Sequence, residues 1–175
     1  MSSGSTFGID QPSSPTSRIQ LELFADYHQI HLLDENSAAD FGTLWTPAAT
    51  RNSIAVGDGA LAIGTEVNVT VAVTLELHTR APRPDADQFD NVVEASLKAT
   101  SGRLVILGCT DYFPDAQRIP AEPGWLRVRV SRWNLRNAAR AGHLSDDDAE
   151  TMERLRIQVW PDPRRPPADI KRWKG

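Results

Sequence analysis

From Val67 to Leu77 the chain alternates without a break. Val67, Val69, Val71, Val73, Leu75 and Leu77 are apolar, and Asn68, Thr70, Ala72, Thr74 and Glu76 between them are polar or small. Successive side chains of a β-strand point to opposite faces, so this segment has one oily face and one wet face. Wound as a helix, the same residues would scatter valines around the whole cylinder. β-branched Val and Thr also favour the pleated backbone. A strand of this kind has to lie on a second apolar layer, which directs the reading toward packed sheets.

Further segments repeat the pattern. Ile19, Leu21 and Leu23 share one parity, then Phe24, Ile30 and Leu32 follow a different one, with the break at Ala25-Asp26-Tyr27-His28-Gln29. One inserted residue flips every later side chain, so 19–33 is either one long bulged strand or two strands crossing between sheets. Ala60–Ile63 is a short strand. Val93, Ala95, Leu97 and Ala99 alternate with polar neighbours, and Ser101-Gly102 predicts a tight hairpin into Arg103–Gly108. Leu104 to Leu107 is continuously apolar, as in a strand covered on both faces. Leu126, Val128 and Val130 alternate with Arg127, Arg129 and Ser131, a strand with a basic outer face, and Leu155, Ile157 and Val159 mark the last strand.

Helix signals are few. Thr46-Pro47 reads as an N-cap followed by Pro at the first helical position, opening a short helix to about Ala55. Asn134–Ala141 is a second candidate. Ser145–Arg154 is a third, with Ser145 and Asp148 in a capping arrangement and Asp146, Asp147 and Asp148 suited to a positive helix N-terminus. The expected fold class is all-β: an antiparallel β-sandwich of seven or eight strands, Greek-key or jelly-roll like, with two or three short helices.

With 175 residues the chain suits one domain. Residues 1–17, rich in Ser, Gly, Pro and Thr, read as a disordered segment, and 18–160 as the sandwich domain. Pro161, Pro163, Pro166 and Pro167 predict an extended basic tail over 161–175 with no further strand pairing. An apolar run long enough to span a bilayer is lacking, and Met1-Ser2-Ser3-Gly4 does not open a secretory signal, so a cytosolic protein with no membrane contact is expected. The lone cysteine, Cys109, excludes an internal disulfide framework.

Charge is uneven within the net of −4. The tail carries Arg164, Arg165, Lys171, Arg172 and Lys174 against Asp162 and Asp169, whereas residues 1–160 carry 14 basic and 21 acidic groups, a net of −7. Such a body repels a phosphate backbone and attracts a basic partner, so no direct nucleic-acid contact is expected. The acidic stretches 85–94 and 146–153 are candidates to face a cationic protein groove. Trp173, between Arg172 and Lys174, is the one place where the tail offers a cation–aromatic contact to nucleic acid or an acidic surface.

Candidate chemistry is sparse. Glu22, Asp26, His28 and His31 contain metal-ligand residue types, but no second ligand cluster accompanies them. Cys109, His28 and Asp111 supply a nucleophile, a base and an orienting carboxylate, without any family signature around the cysteine. Asn68-Val69-Thr70 matches a glycosylation sequon inside a predicted strand, and Gly57-Asp58-Gly59 lacks the Lys-Ser/Thr of a phosphate loop. No cofactor or metal is expected.

Three blocks in order carry a resemblance. Leu23-Phe24-Ala25-Asp26-Tyr27-His28-Gln29-Ile30 resembles the opening strand of the competence protein J family. Asp58-Gly59-Ala60-Leu61-Ala62-Ile63, followed by a valine-rich strand, resembles its next region, and Ile157-Gln158-Val159-Trp160-Pro161 its last strand. The blocks cover about a quarter of the chain, and the proline-rich loop, acidic stretch and basic tail have no counterpart among them. The resemblance implies a non-enzymatic protein that binds and inhibits a DNA-entry nuclease, or an immunity protein against a toxin nuclease. Its candidate partner-binding residues are Asp26, Tyr27 and His28 at the break, with Asp111 and Tyr112 as a second Asp-Tyr pair leaving a strand. Two alternatives accompany it: a sugar-like ligand held in a cleft lined by Trp45, Trp125 or Trp133, and a hydrolase built on His28, Cys109 and Asp111.

Overall fold

The computed structural model describes residues 13–175. It is mostly β, in two sheets. The first has six strands in the order β1 (Ser17–Phe24), β5 (Thr70–Leu77), β10 (Arg154–Pro161), β9 (Gly124–Trp133), β6 (Asn91–Ala99) and β11 (Ala168–Lys171). The second has five, in the order β3 (Ile54–Gly57), β4 (Ala60–Gly64), β2 (Gln29–Asp34), β7 (Arg103–Gly108) and β8 (Gln117–Pro120). The inward residues predicted by alternation meet across one core. Val71, Val73 and Leu75 of β5, Leu155 and Ile157 of β10 and Val128 and Val130 of β9 pack with Ile30, Leu32, Leu61, Ile63, Leu104 and Ile106 of the other sheet. Each of these is essentially out of water, and burial of such side chains contributes about 1.5–3 kcal/mol apiece.

The expected antiparallel arrangement needs correcting. β10 runs parallel to β5, Leu155 opposite Val73 and Ile157 opposite Leu75, so the larger sheet is mixed. Alternation alone does not distinguish a parallel from an antiparallel neighbour. Residues 19–33 are two strands: β1 ends at Phe24 in the larger sheet and β2 begins at Gln29 in the smaller one. Ser101-Gly102 is likewise a crossover and not a hairpin, because β6 pairs with β9 and β11 while β7 pairs with β2 and β8. Asp34 holds that crossover, accepting from the backbone N–H and hydroxyl of both Thr100 and Ser101. Burial alone would raise the Asp34 carboxyl, but these bonds from Ser101 and Thr100, with one from the Asn36 amide, hold it below the usual carboxylate range.

Leu104 and Ile106 face the main core, and Val105 and Leu107 face a second cluster with Leu33, Ala60, Phe41 and Phe113, so β7 is covered on both sides as expected. The first helix, α1, spans Pro47–Asn52 with the Thr46 hydroxyl capping Ala49 N–H, and α2 spans Leu135–Ala141. The third expected helix is absent. Residues 142–147 form 3-10 turns, and Asp146 accepts from Thr70 N–H at the start of β5 instead of capping its own segment.

Two expectations about surfaces also fail. Arg127 and Arg129 do not present a basic face to water. Both are buried against Glu94 of the neighbouring β6, at 3.2 Å to each carboxylate oxygen. The proline-rich tail covers Arg127, and the proline-rich loop covers Arg129, which donates to the carbonyls of Pro82 and Arg83. Arg127 donates to the carbonyls of Arg165 (3.0 Å) and Pro166 (3.1 Å), Ser96 binds the Arg165 backbone, and β11 then pairs with β6. Pro163, Pro166 and Pro167 interrupt pairing locally but stop short of Ala168, where hydrogen-bonding N–H groups return. Of the expected disordered segment 1–17, residues 1–12 lie outside the described residues. Ser13 bonds His78 Nδ1 (3.1 Å) and Thr16 bonds the Leu77 carbonyl, so 13–17 is held.

Candidate functional site

The break at Ala25–Gln29 is a tight corner between the sheets. Ala25 is fully buried and donates its N–H to Val69 O (3.0 Å), while Thr65 N–H binds His28 O (2.9 Å). To turn within this length, Tyr27 and His28 both take left-handed backbone angles, φ 54° and 58°. Such angles cost a non-glycine residue about 1–2 kcal/mol, and pairs of them recur at functional positions. The Tyr27 ring is not used to repay the strain by burial: it is 70% exposed.

The second Asp-Tyr pair comes to the same corner. A Cβ at Gly108, the last residue of β7, would sit 2.3 Å from the Phe24 carbonyl, so glycine permits the two segments to touch. Asp111 folds back to accept Gly108 N–H at 2.7 Å, which fixes the turn and leaves Tyr112 71% exposed. Beside it, a groove of about 370 Å³ runs between β1 and β7, with Leu21, Leu23 and Ile106 on its floor and Tyr112 and Asp115 at its rim. Asp26, Asp111 and Asp115 have no cationic partner within ion-pair distance among the described residues. Phe24 (45% exposed), Asp115 and the β1 groove were not singled out in the sequence. They follow from β1 being an edge strand, a property that alternation does not encode.

The other candidates separate. His31 points away from Glu22: its ring stacks on Phe41 at 3.7 Å and Nε2 meets Gln29 Oε1 at 2.9 Å. Among the described residues, no three of His, Cys, Asp and Glu gather as a metal centre would require. Burial lowers the His31 imidazole from 6.5 to about 4. The unfolded chain therefore takes up a proton, as pH falls through this window, that the folded chain refuses. Stability from this group is complete above about pH 6.5 and is lost toward pH 4, up to about 3 kcal/mol. His31→Gln is expected to flatten that part of the profile in urea unfolding at pH 7 and pH 4.5. Comparing it with the wild type cancels the carboxylates common to both.

Cys109 is half-buried, and its thiol is pushed up by burial and by the negative charge of Asp26, the reverse of what a thiolate nucleophile needs. Asp111 is committed to Gly108 and bonds neither Cys109 nor His28. The tryptophans do not share a cleft: Trp125 and Trp133 lie at opposite ends of β9, and Trp45 donates to Gln29 Oε1 (3.1 Å) elsewhere. The acidic stretches are partly spent inside the fold, although Asp87, Asp147, Asp148 and Glu150 stay exposed. Asp85 grips Arg156 with both oxygens (2.8 and 2.7 Å), Asp90 accepts from Leu135 N–H, and Glu94 and Glu153 are buried.

No family model matches this sequence, and no curated protein does. Solved structures do match. The first is the crystal structure of ComJ from Bacillus subtilis, an inhibitor of the DNA-degrading activity of NucA, with a TM-score of 0.61 at 13% identity over 86% of this chain and 98% of that one. The chain is similar in fold to ComJ. A second, described as crocagin biosynthetic gene J, matches with a TM-score of 0.54 at 15% identity over 84% of this chain and 97% of that one. The resemblance read in short blocks of sequence thus extends to the course of nearly the whole chain. No helix among the described residues is long and apolar enough to cross a membrane.

Proposed function

We propose that this protein is a non-enzymatic inhibitor, acting in the cytoplasm on a nuclease, either one that handles incoming DNA or a toxin nuclease for which it serves as immunity protein. The fold similarity to ComJ supports the inhibitor kind of role. The observation that carries the choice of surface is the corner: Tyr27 and Tyr112, each about 70% exposed, stand beside carboxylates that have no cationic partner among the described residues. Exposed tyrosines give large contact area at low entropic cost, and unneutralised carboxylates complement the basic channel that a nuclease offers to DNA. The partner surface comprises Asp26, Tyr27, His28, Asp111 and Tyr112, extended by Phe24 and Asp115.

Backbone strain makes a distinctive test. Glycine at position 27 relieves the left-handed angle and removes only an exposed ring. Tyr27→Gly is therefore expected to hold or raise stability, by up to about 1 kcal/mol, while weakening association roughly tenfold or more. Association is measured with the nuclease that co-purifies with this chain at low salt, and should weaken as salt rises. A variant that is less stable and binds normally would count against both the strain argument and the surface.

A further inference from the structure

A second feature lies at the opposite edge of the larger sheet, and its charge runs against that of the chain. Where β11 leaves β6, the terminal residues and the start of α2 form an open groove of about 660 Å³, lined by Trp133, Trp173, Arg136, Lys171, Lys174 and Gln88. Arg136, Lys171 and Lys174 have no carboxylate within ion-pair distance among the described residues. The one acidic side chain on the wall, Asp90, is held by Leu135 N–H at 3.0 Å.

The walls are fixed. Trp133 packs edge-on against Phe89 with ring centroids 5.4 Å apart. Lys171 is held through its carbonyl by Asn91 Nδ2 (3.0 Å), and Arg172 is tied to Asp169 (2.6 Å) and Asn52 (3.2 Å). These contacts anchor the chain as far as Arg172, and the next two residues, Trp173 and Lys174, line the groove.

We propose that this groove binds single-stranded nucleic acid, with bases stacked on the indoles of Trp133 and Trp173 and phosphates held by Arg136, Lys171 and Lys174. Indoles lining a cationic groove are the recognition chemistry of unpaired bases, because every base has a stacking face. The volume suits one or two nucleotides and not a duplex. An acidic peptide would satisfy the cations but leave the indoles unused. The expectation of no nucleic-acid contact rested on the chain's overall charge; the negative body repels phosphates elsewhere and so concentrates binding in this groove.

The test is fluorescence anisotropy of a short fluorescein-labelled oligothymidylate titrated with the full chain. Saturable binding is expected at low salt, with a log–log salt slope of about −2 for three phosphate contacts. A duplex of equal length should bind more weakly. Trp173→Ala should weaken binding about fivefold or more, and Lys174→Glu should weaken it and flatten the salt slope. Both lie near the exposed end and should leave the unfolding midpoint unchanged; Trp133→Phe, which keeps a ring against Phe89, gives a second reading within the groove. No binding at low salt would overturn the proposal. So would binding that survives the Trp173→Ala/Lys174→Glu double variant, or competition by polyglutamate as strong as by unlabelled oligonucleotide.

Discussion

Glu153→Ala is expected to lower the unfolding free energy by about 3–5 kcal/mol, the usual consequence of breaking a buried ion pair from one side. Glu153 is fully buried, although the sequence places it in an acidic stretch with the look of a hydrated loop. One oxygen meets Arg132 Nη1 at 3.2 Å, and the other accepts from Glu66 N–H (2.8 Å) and Val67 N–H (3.1 Å). Arg132 in turn reaches Asn91 and Ser53. A single carboxylate thereby joins β9, the approach to β10, the irregular 65–69 segment before β5 and the end of α1. Its exclusion from water pushes its pKa up against the pull of Arg132 and the two amides. Removing it strands a buried guanidinium and two amide donors. In a chain of this size that loss corresponds to a melting point lower by about 10 °C or more. Replacing both partners, Arg132→Met with Glu153→Leu, should recover the part of the loss due to the unpaired guanidinium but not the part due to the Glu66 and Val67 amide donors; a double variant as unstable as Glu153→Ala would place the whole cost in those donors and in packing, and not in the unpaired charge.

Glu94→Ala should have a comparable effect, about 3–5 kcal/mol, with a different spatial signature. Glu94 separates two buried guanidinium groups that share one face of β9, and without it Arg127 and Arg129 repel each other across the strand. Arg127 also holds the carbonyls of residues 165 and 166, and Arg129 those of residues 82 and 83 while lying over Trp160. The tail and the proline-rich loop should therefore lose amide-exchange protection before the main core does. Uniform loss of protection across the molecule would mean that the tail is not held by this cluster.

Both clusters mark the boundary of what alternation can convey. The core strands were legible because Val71, Val73, Leu75, Leu155, Ile157 and their partners obey period two on a buried face. Thr46-Pro47 was legible because its cap is local. The outer face of the larger sheet was not. Arg127, Arg129 and Glu94 have the signature of solvated residues, and only the return of 161–171 over Arg127 and of the 82–83 loop over Arg129, contacts far apart in sequence, makes them internal. The crossover at Ser101-Gly102 was misread for a similar reason. A turn glycine specifies the bend, whereas Asp34, 66 residues away from Thr100, fixes which sheet the chain enters. Of the corner, the two Asp-Tyr pairs were visible as residues, but their approach depends on Gly108 lying against the Phe24 carbonyl and on Phe24 ending an edge strand, which pairing alone determines.

The most direct measurement is DNA degradation by a nuclease that co-purifies with this chain at low salt, titrated with the wild-type chain and with the folded Tyr27→Gly/Tyr112→Ala variant. Inhibition that is complete near equimolar wild type, and that requires at least about tenfold more of the variant, is the expected result. Equal inhibition by the two proteins, or no inhibition by the wild type at low salt, would contradict an inhibitor that works through this corner.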